Sequence, residues 1–154
     1  MKKLFLILLM SIVLSGCVSS AKYGNFSAET LSNEVNIAFA DNAFAQLSAL
    51  YAPGKTRFNL THQFSDLFGS HLSDQLQKAG YALSVPVADK DKTPEKAPEF
   101  NADTHSLAYV IDETDANIYR VTLFVDGLPI TKGFLIQDGK VVSLGFWTKQ
   151  DRGQ

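Results

Sequence analysis

Residues 106–148 read SLAYVIDETDANIYRVTLFVDGLPITKGFLIQDGKVVSLGFWT. β-branched and aromatic residues dominate, broken by short acidic and glycine-bearing pairs. Asp126-Gly127 and Asp138-Gly139 are hairpin signals, because tight two-residue turns need positive φ at both central positions. Glu113-Thr114-Asp115 marks a third turn. The stretch predicts four strands, at 106–112, 117–125, 130–136 and 140–148, running as an antiparallel meander. Along the second, Tyr119, Val121, Leu123 and Val125 alternate onto one face, with Arg120 and Thr122 on the other. The apolar face must be covered, and the preceding half of the chain supplies the cover.

Working upstream, Leu31, Val35, Ala38, Phe39, Ala43, Phe44, Leu47, Leu50 and Tyr51 recur at three- and four-residue steps. They predict a helix that starts at Ser27 as its cap, has Glu29 in its first turn, and stops at Pro53-Gly54. TRFNLTH at 56–62 alternates as a strand with Phe58 and Leu60 inward. A second helix is expected over 66–79, with Leu67, Phe68, Leu72 and Leu76 as its stripe and Gly80 as a left-handed cap. Residues 81–85 form a further strand. Residues 86–104, PVADKDKTPEKAPEFNADT, turn to proline, lysine and acid and read as a solvated loop. The expected fold is α+β: two helices packed on one face of a mostly antiparallel sheet, in one domain over 27–154. With 11 Phe, 5 Tyr and 1 Trp, the chain has ample material for one core. The order of elements is also compatible with the N-terminal ring domain of secretins.

The N-terminus reads differently. Lys2 and Lys3 precede an apolar run at 4–14 broken only by Ser11, and Leu14-Ser15-Gly16-Cys17 follows. Basic, apolar, then small residues is the layout of an export signal. As a helix the run reaches only about 16 Å, against a bilayer core of about 30 Å, so it does not span. Leu-Ser-Gly-Cys resembles the lipobox of bacterial lipoproteins. It predicts cleavage between Gly16 and Cys17, and lipid attachment at Cys17. Cys17 is the sole cysteine, so it has no intrachain disulfide partner, and lipidation gives it a role. Two or three acyl chains anchor a protein stably where one does so only marginally. Val18 follows where an aspartate would favour retention in the inner membrane of enteric bacteria, which points to the outer membrane. Residues 17–26 read as a tether. Losing Lys2 and Lys3 with the leader takes the formal net charge from −2 to −4. No basic cluster remains, which argues against direct nucleic-acid binding.

Catalytic patterns are sparse. Gly54-Lys55-Thr56 lacks the earlier glycine of a phosphate-binding loop, that position being Ala49, and it follows a helix instead of preceding one. His62, His71 and His105 show no i, i+4 spacing and have no free cysteine to join them in a zinc site. Gly69-Ser70-His71 is not a nucleophile elbow. Asp66, Asp74, Asp112 and Glu113 are available carboxylates with nothing to pair them across a substrate. Neither an enzyme activity nor a cofactor or metal is expected. Phe146 and Trp147 are more informative: neighbours on a strand point to opposite faces, so one of them can lie outside the core, and both are candidate interface residues; two core aromatics on a strand covered from both sides is the other reading.

Taken in order, the lipobox, Tyr23-Gly24-Asn25-Phe26, Leu50-Tyr51, Thr56-Arg57-Phe58, Asp66-Leu67-Phe68-Gly69, Gly80-Tyr81-Ala82-Leu83, Leu107-Ala108-Tyr109-Val110, Tyr119-Arg120, Asp138-Gly139 and Gly145-Phe146-Trp147 resemble the TrbH family of conjugal transfer lipoproteins. Loop 86–104 has no counterpart there, and Ala52-Pro53 stands where two prolines are expected. The resemblance implies a part of a type IV secretion apparatus, lipid-anchored in the outer membrane and facing the periplasm. Its implied partners are TrbG-like and TrbI-like subunits of the outer-membrane core, with homo-oligomerisation in a ring compatible with that placement. It carries over no catalytic residues. A stand-alone periplasmic binding or surface-exclusion lipoprotein is the alternative, to be separated by genetic context. An envelope enzyme is a third reading, and it requires carboxylates or histidines that converge in a cleft.

Overall fold

The computed structural model describes residues 22–85 and 103–150. The expected leader, Gly16, Cys17 and most of loop 86–104 lie outside the described residues. The elements run β1 (Gly24–Asn25), α1 (Asn33–Leu50), β2 (Thr56–Leu60), α2 (Leu67–Lys78), β3 (Ala82–Ser84), β4 (Asp103–Asp115), β5 (Ile118–Val125), β6 (Leu128–Gln137) and β7 (Lys140–Lys149). They form one seven-stranded sheet in the order β3-β2-β4-β5-β6-β7, and β1 pairs with β4 off that path. β4 to β7 are the antiparallel meander. β2 lies parallel to β3 and β4, and β1 is parallel to β4 where β4 runs on beyond β2. The fold is α+β with a strand-rich C-terminal half.

Two of the meander turns form where the sequence puts them. Asp126 and Gly127, and Asp138 and Gly139, all have positive φ, as two-residue hairpin turns require. The third turn lies later than Glu113-Thr114-Asp115. β4 continues to Asp115 through a bulge, and the turn falls at Ala116-Asn117, with Asn117 at φ 61°. Asp112 faces Arg120 across the ladder and accepts two hydrogen bonds from its guanidinium, at 3.1 and 2.5 Å. A charged cross-strand pair thus extends a strand whose composition reads as a turn. β4 also begins early, so Asp103 and Thr104 are strand and not loop.

The cap of α1 lies five residues after the expected one. The Ser32 hydroxyl accepts from the Val35 amide, whereas Ser27 is buried and its carbonyl takes the amides of Thr30 and Leu31 in a separate turn. Both serines suit a cap. Pairing with β4 holds Gly24 and Asn25 extended, so the chain needs a turn to reach the helix. Glu34, not Glu29, occupies the first turn. α2 matches its expected start, with Asp66 Oδ1 accepting from the Gly69 amide at 3.0 Å. It ends in a Schellman motif: Gly80 at φ 95°, its amide on the Gln77 carbonyl and that of Tyr81 on the Leu76 carbonyl.

Phe39, Leu47, Phe58, Phe68, Leu72, Leu76, Leu107, Tyr109, Ile111, Leu123 and Phe134 are fully buried in one core between the helices and one sheet face. The Phe39 and Phe134 rings lie 4.7 Å apart. α2 approaches β4 closely because position 69 is glycine. A Cβ there would sit 2.9 Å from the Phe64 Cα and closer still to the Tyr109 hydroxyl.

Candidate docking surface

Alternation gives the sheet two unlike faces. Tyr119, Val121 and Leu123 of β5 go under the helices, and Arg120, Thr122 and Phe124 take the other side. That other face is polar around β2 and β3, where Ser84 bonds Asn59, and at its middle, where Thr131 bonds Thr122 at 3.2 Å. It becomes apolar toward β7. Leu135 stands opposite Val142, and Gly133 opposite Leu144. Val142 and Leu144 are each 43% exposed, and Phe146 is 92% exposed.

β7 closes the strand order, so its outer side pairs with no strand among the described residues. Trp147 turns inward, packing edge-on against Phe134 at 6.4 Å with the Lys132 ammonium 5.9 Å from its ring centre. Phe146 turns outward. The ladder is bulged beside this pair. Leu144 opposes Gly133 and Thr148 opposes Thr131, so residues 145–147 share the single partner Lys132. Gly145 supplies the positive φ, 78°. The signal for this bulge, a glycine inside a strand pattern, is present in the sequence but went unread there.

The expected tether is partly built into the domain. Residues 22–26 form a strap along β4, where the Phe26 amide donates to the Ile111 carbonyl at 2.9 Å. Asn25 donates to the side chain of Asn36 at 2.9 Å, and the buried Asn36 in turn donates to the Ser32 carbonyl at 3.0 Å. Tyr23 stacks on His62 at 5.8 Å and meets Phe124 edge-on at 5.4 Å. His62 is thereby caged among Tyr23, Phe64 and Tyr109. Both its ring nitrogens are buried without a hydrogen-bond partner among the described residues. Burial pushes the imidazole pKa down, and the Asp66 carboxylate pulls the other way. Asp66 itself accepts from the Tyr109 hydroxyl, whose pKa is pushed far up, first by burial and then by that bond.

The remaining polar candidates stay apart. His71 Nε2 meets Asp41 at 3.0 Å, and Gln75 shares that carboxylate at 2.7 Å. His105 Nδ1 meets Asp126 at 2.7 Å. Asp74 pairs along α2 with Lys78. Gly54-Lys55-Thr56 leads from the turn after α1 into β2, with the Gly54 amide on the Gly80 carbonyl. Among the described residues no helix is long and apolar enough to cross a membrane.

The family model described as conjugal transfer protein TrbH matches residues 20–151. The chain belongs to the TrbH family. The match takes in the strap, both helices and all seven strands. TrbH membership makes the chain a component of conjugal transfer, a type IV secretion process, and points to contact with other proteins of that apparatus. No match is found among curated proteins or among solved structures, and the comparison with a secretin ring domain rests on element order alone.

Proposed function

We propose that this TrbH-family chain is a non-enzymatic structural lipoprotein of the outer membrane. Acyl chains on Cys17 hold it there, and its α+β domain docks on core subunits of the transfer apparatus that resemble TrbG and TrbI. The observation that carries the reading is Leu14-Ser15-Gly16-Cys17 behind a basic-apolar leader, with Cys17 the sole cysteine of the chain. Family membership supplies the apparatus. The helix-free face, apolar toward β7, supports docking as its mode of action.

The test is metabolic labelling with palmitate and membrane fractionation of donor cells, on the native chain and on Cys17→Ser. The native chain is expected to take the label and fractionate with the outer membrane. Cys17→Ser loses both, and mating frequency falls at least tenfold. An unlabelled native chain overturns the anchor, and undiminished mating after deletion of the chain overturns the structural role.

A further inference from the structure

Three features coincide on β7. It is a sheet edge of ten residues with no neighbour on its outer side among the described residues. Its centre, Val141 to Trp147, has no charge, and Val142, Leu144 and Phe146 stand exposed. Its ends are Lys140 and Lys149, the strand holds no acid, and neither lysine has a carboxylate partner among the described ion pairs. This basic strand lies in a chain whose formal net charge is −2.

Lysines and bulges are also devices that keep an edge from pairing. Edge protection does not account for three exposed apolar side chains between the lysines. Exposed backbone donors and acceptors, an apolar stripe and flanking cations together specify what fits: an extended segment that adds as a strand, alternates apolar residues, and carries carboxylates near both ends. A second copy of β7 fits poorly. Full antiparallel overlap sets Lys140 against Lys149 at each end, and like charges directly opposite are destabilising.

We infer that β7 is the receiving edge for such an acidic-ended, apolar strand of another subunit. The inference rests on the docking role proposed above and names the chemistry of the docked segment. Phe146 continues the outward alternation of Val142 and Leu144 past the bulge at Gly145, and its exposure lets it serve as the anchor for the incoming strand.

Trp147, the sole tryptophan, lies on this strand, so its emission reports occupancy. The probe is a ten-residue peptide with glutamate at both ends and alternating valine and threonine between, titrated into the full chain in detergent. The expected result is a saturable change in Trp147 emission, with a Kd at least tenfold lower than for the same peptide ended by lysine. N-methylation of alternate peptide nitrogens removes binding, and Phe146→Ala weakens it at least fivefold. Equal Kd values for the two peptides, undisturbed binding of the N-methylated one, or no binding at all each overturn the proposal. So does self-association of the chain that Phe146→Ala abolishes, which makes the occupant a second copy. A mating assay separates this idea from the one beneath it. Full complementation of a deletion by Val142→Lys/Phe146→Ala removes the receiving edge and leaves the structural lipoprotein standing. A deletion without effect removes the structural role itself.

Discussion

The side-chain amide of Asn25 donates to Oδ1 of Asn36 across 2.9 Å, and this bond ties the strap on the sheet to the first turn of α1. Asn36 is buried and holds its place by donating to the Ser32 carbonyl as well. Removing it leaves Asn25 and the helix start with unmet polar groups. Asn36→Ala is expected to cost about 1–3 kcal/mol. Urea unfolding checks this: the midpoint falls while the slope with denaturant stays the same. Asn25→Ala, at a half-buried site, costs less, about 0.5–1.5 kcal/mol.

Acid should loosen the strap through His62. The groups that face the ring are Tyr23 from the strap, Phe64, Tyr109 from β4, and Asp66 at the α2 cap, which raises the pKa but less than burial lowers it; the Lys22 ammonium lies over the Tyr23 ring. With the docked pKa below the ordinary 6.5, strap docking is at full strength above pH 6.5. It weakens as pH falls from there through the docked value, by up to about tenfold per pH unit within that window. Hydrogen exchange of the Phe26 amide reads docking directly, after correction for intrinsic rates. Protection should drop between pH 7.5 and pH 5 in the native chain and stay level in His62→Phe. Equal drops in both would assign the effect to another group.

Phenylalanines at the two extremes of burial should behave oppositely. Phe39 is fully buried against Phe134, so Phe39→Ala is expected to cost about 3–5 kcal/mol. Phe146, almost wholly exposed, should shift stability by no more than about 0.5 kcal/mol when cut to alanine. Paired thermal melts decide it. A large loss at Phe146 would mean that it packs inside the fold.

Gly69→Ala adds one methyl where α2 meets the Phe64 backbone and the Tyr109 hydroxyl. Neither the backbone nor a fully buried ring yields easily, so a loss of about 1–3 kcal/mol is expected. Tyr109→Phe in the same background should recover part of it, because the nearest clashing atom is the hydroxyl. No recovery would place the strain on Phe64 alone.

The sequence made the meander legible because each hairpin pairs a local turn signal with a period-two face, as at Asp126-Gly127 between Val125 and Ile130. The parallel pairing of β2 with β3 and β4 left no such local trace, since it joins residues far apart in the chain, Phe58 with His105 among them. The start of α1 was misplaced because Ser27 and Ser32 satisfy the same local rule and a distant strand chooses between them. At the docking surface, the alternation of Phe146 and Trp147 could be read in advance. The register shift beside it, and the His62 cage, depend on neighbours that only the folded chain brings together. Asn25 and Asn36 looked like ordinary polar residues for the same reason.

The strap also limits where the domain can go. The anchor proposed at Cys17 would leave only residues 18–21 before Lys22, a leash of at most about 18 Å when fully drawn out. A domain so confined would patrol a thin layer beside the bilayer. Its encounters with other membrane-bound subunits would become nearly two-dimensional, and their effective concentration would rise without any added contact. Undocking the strap would lengthen that leash and dilute the encounter.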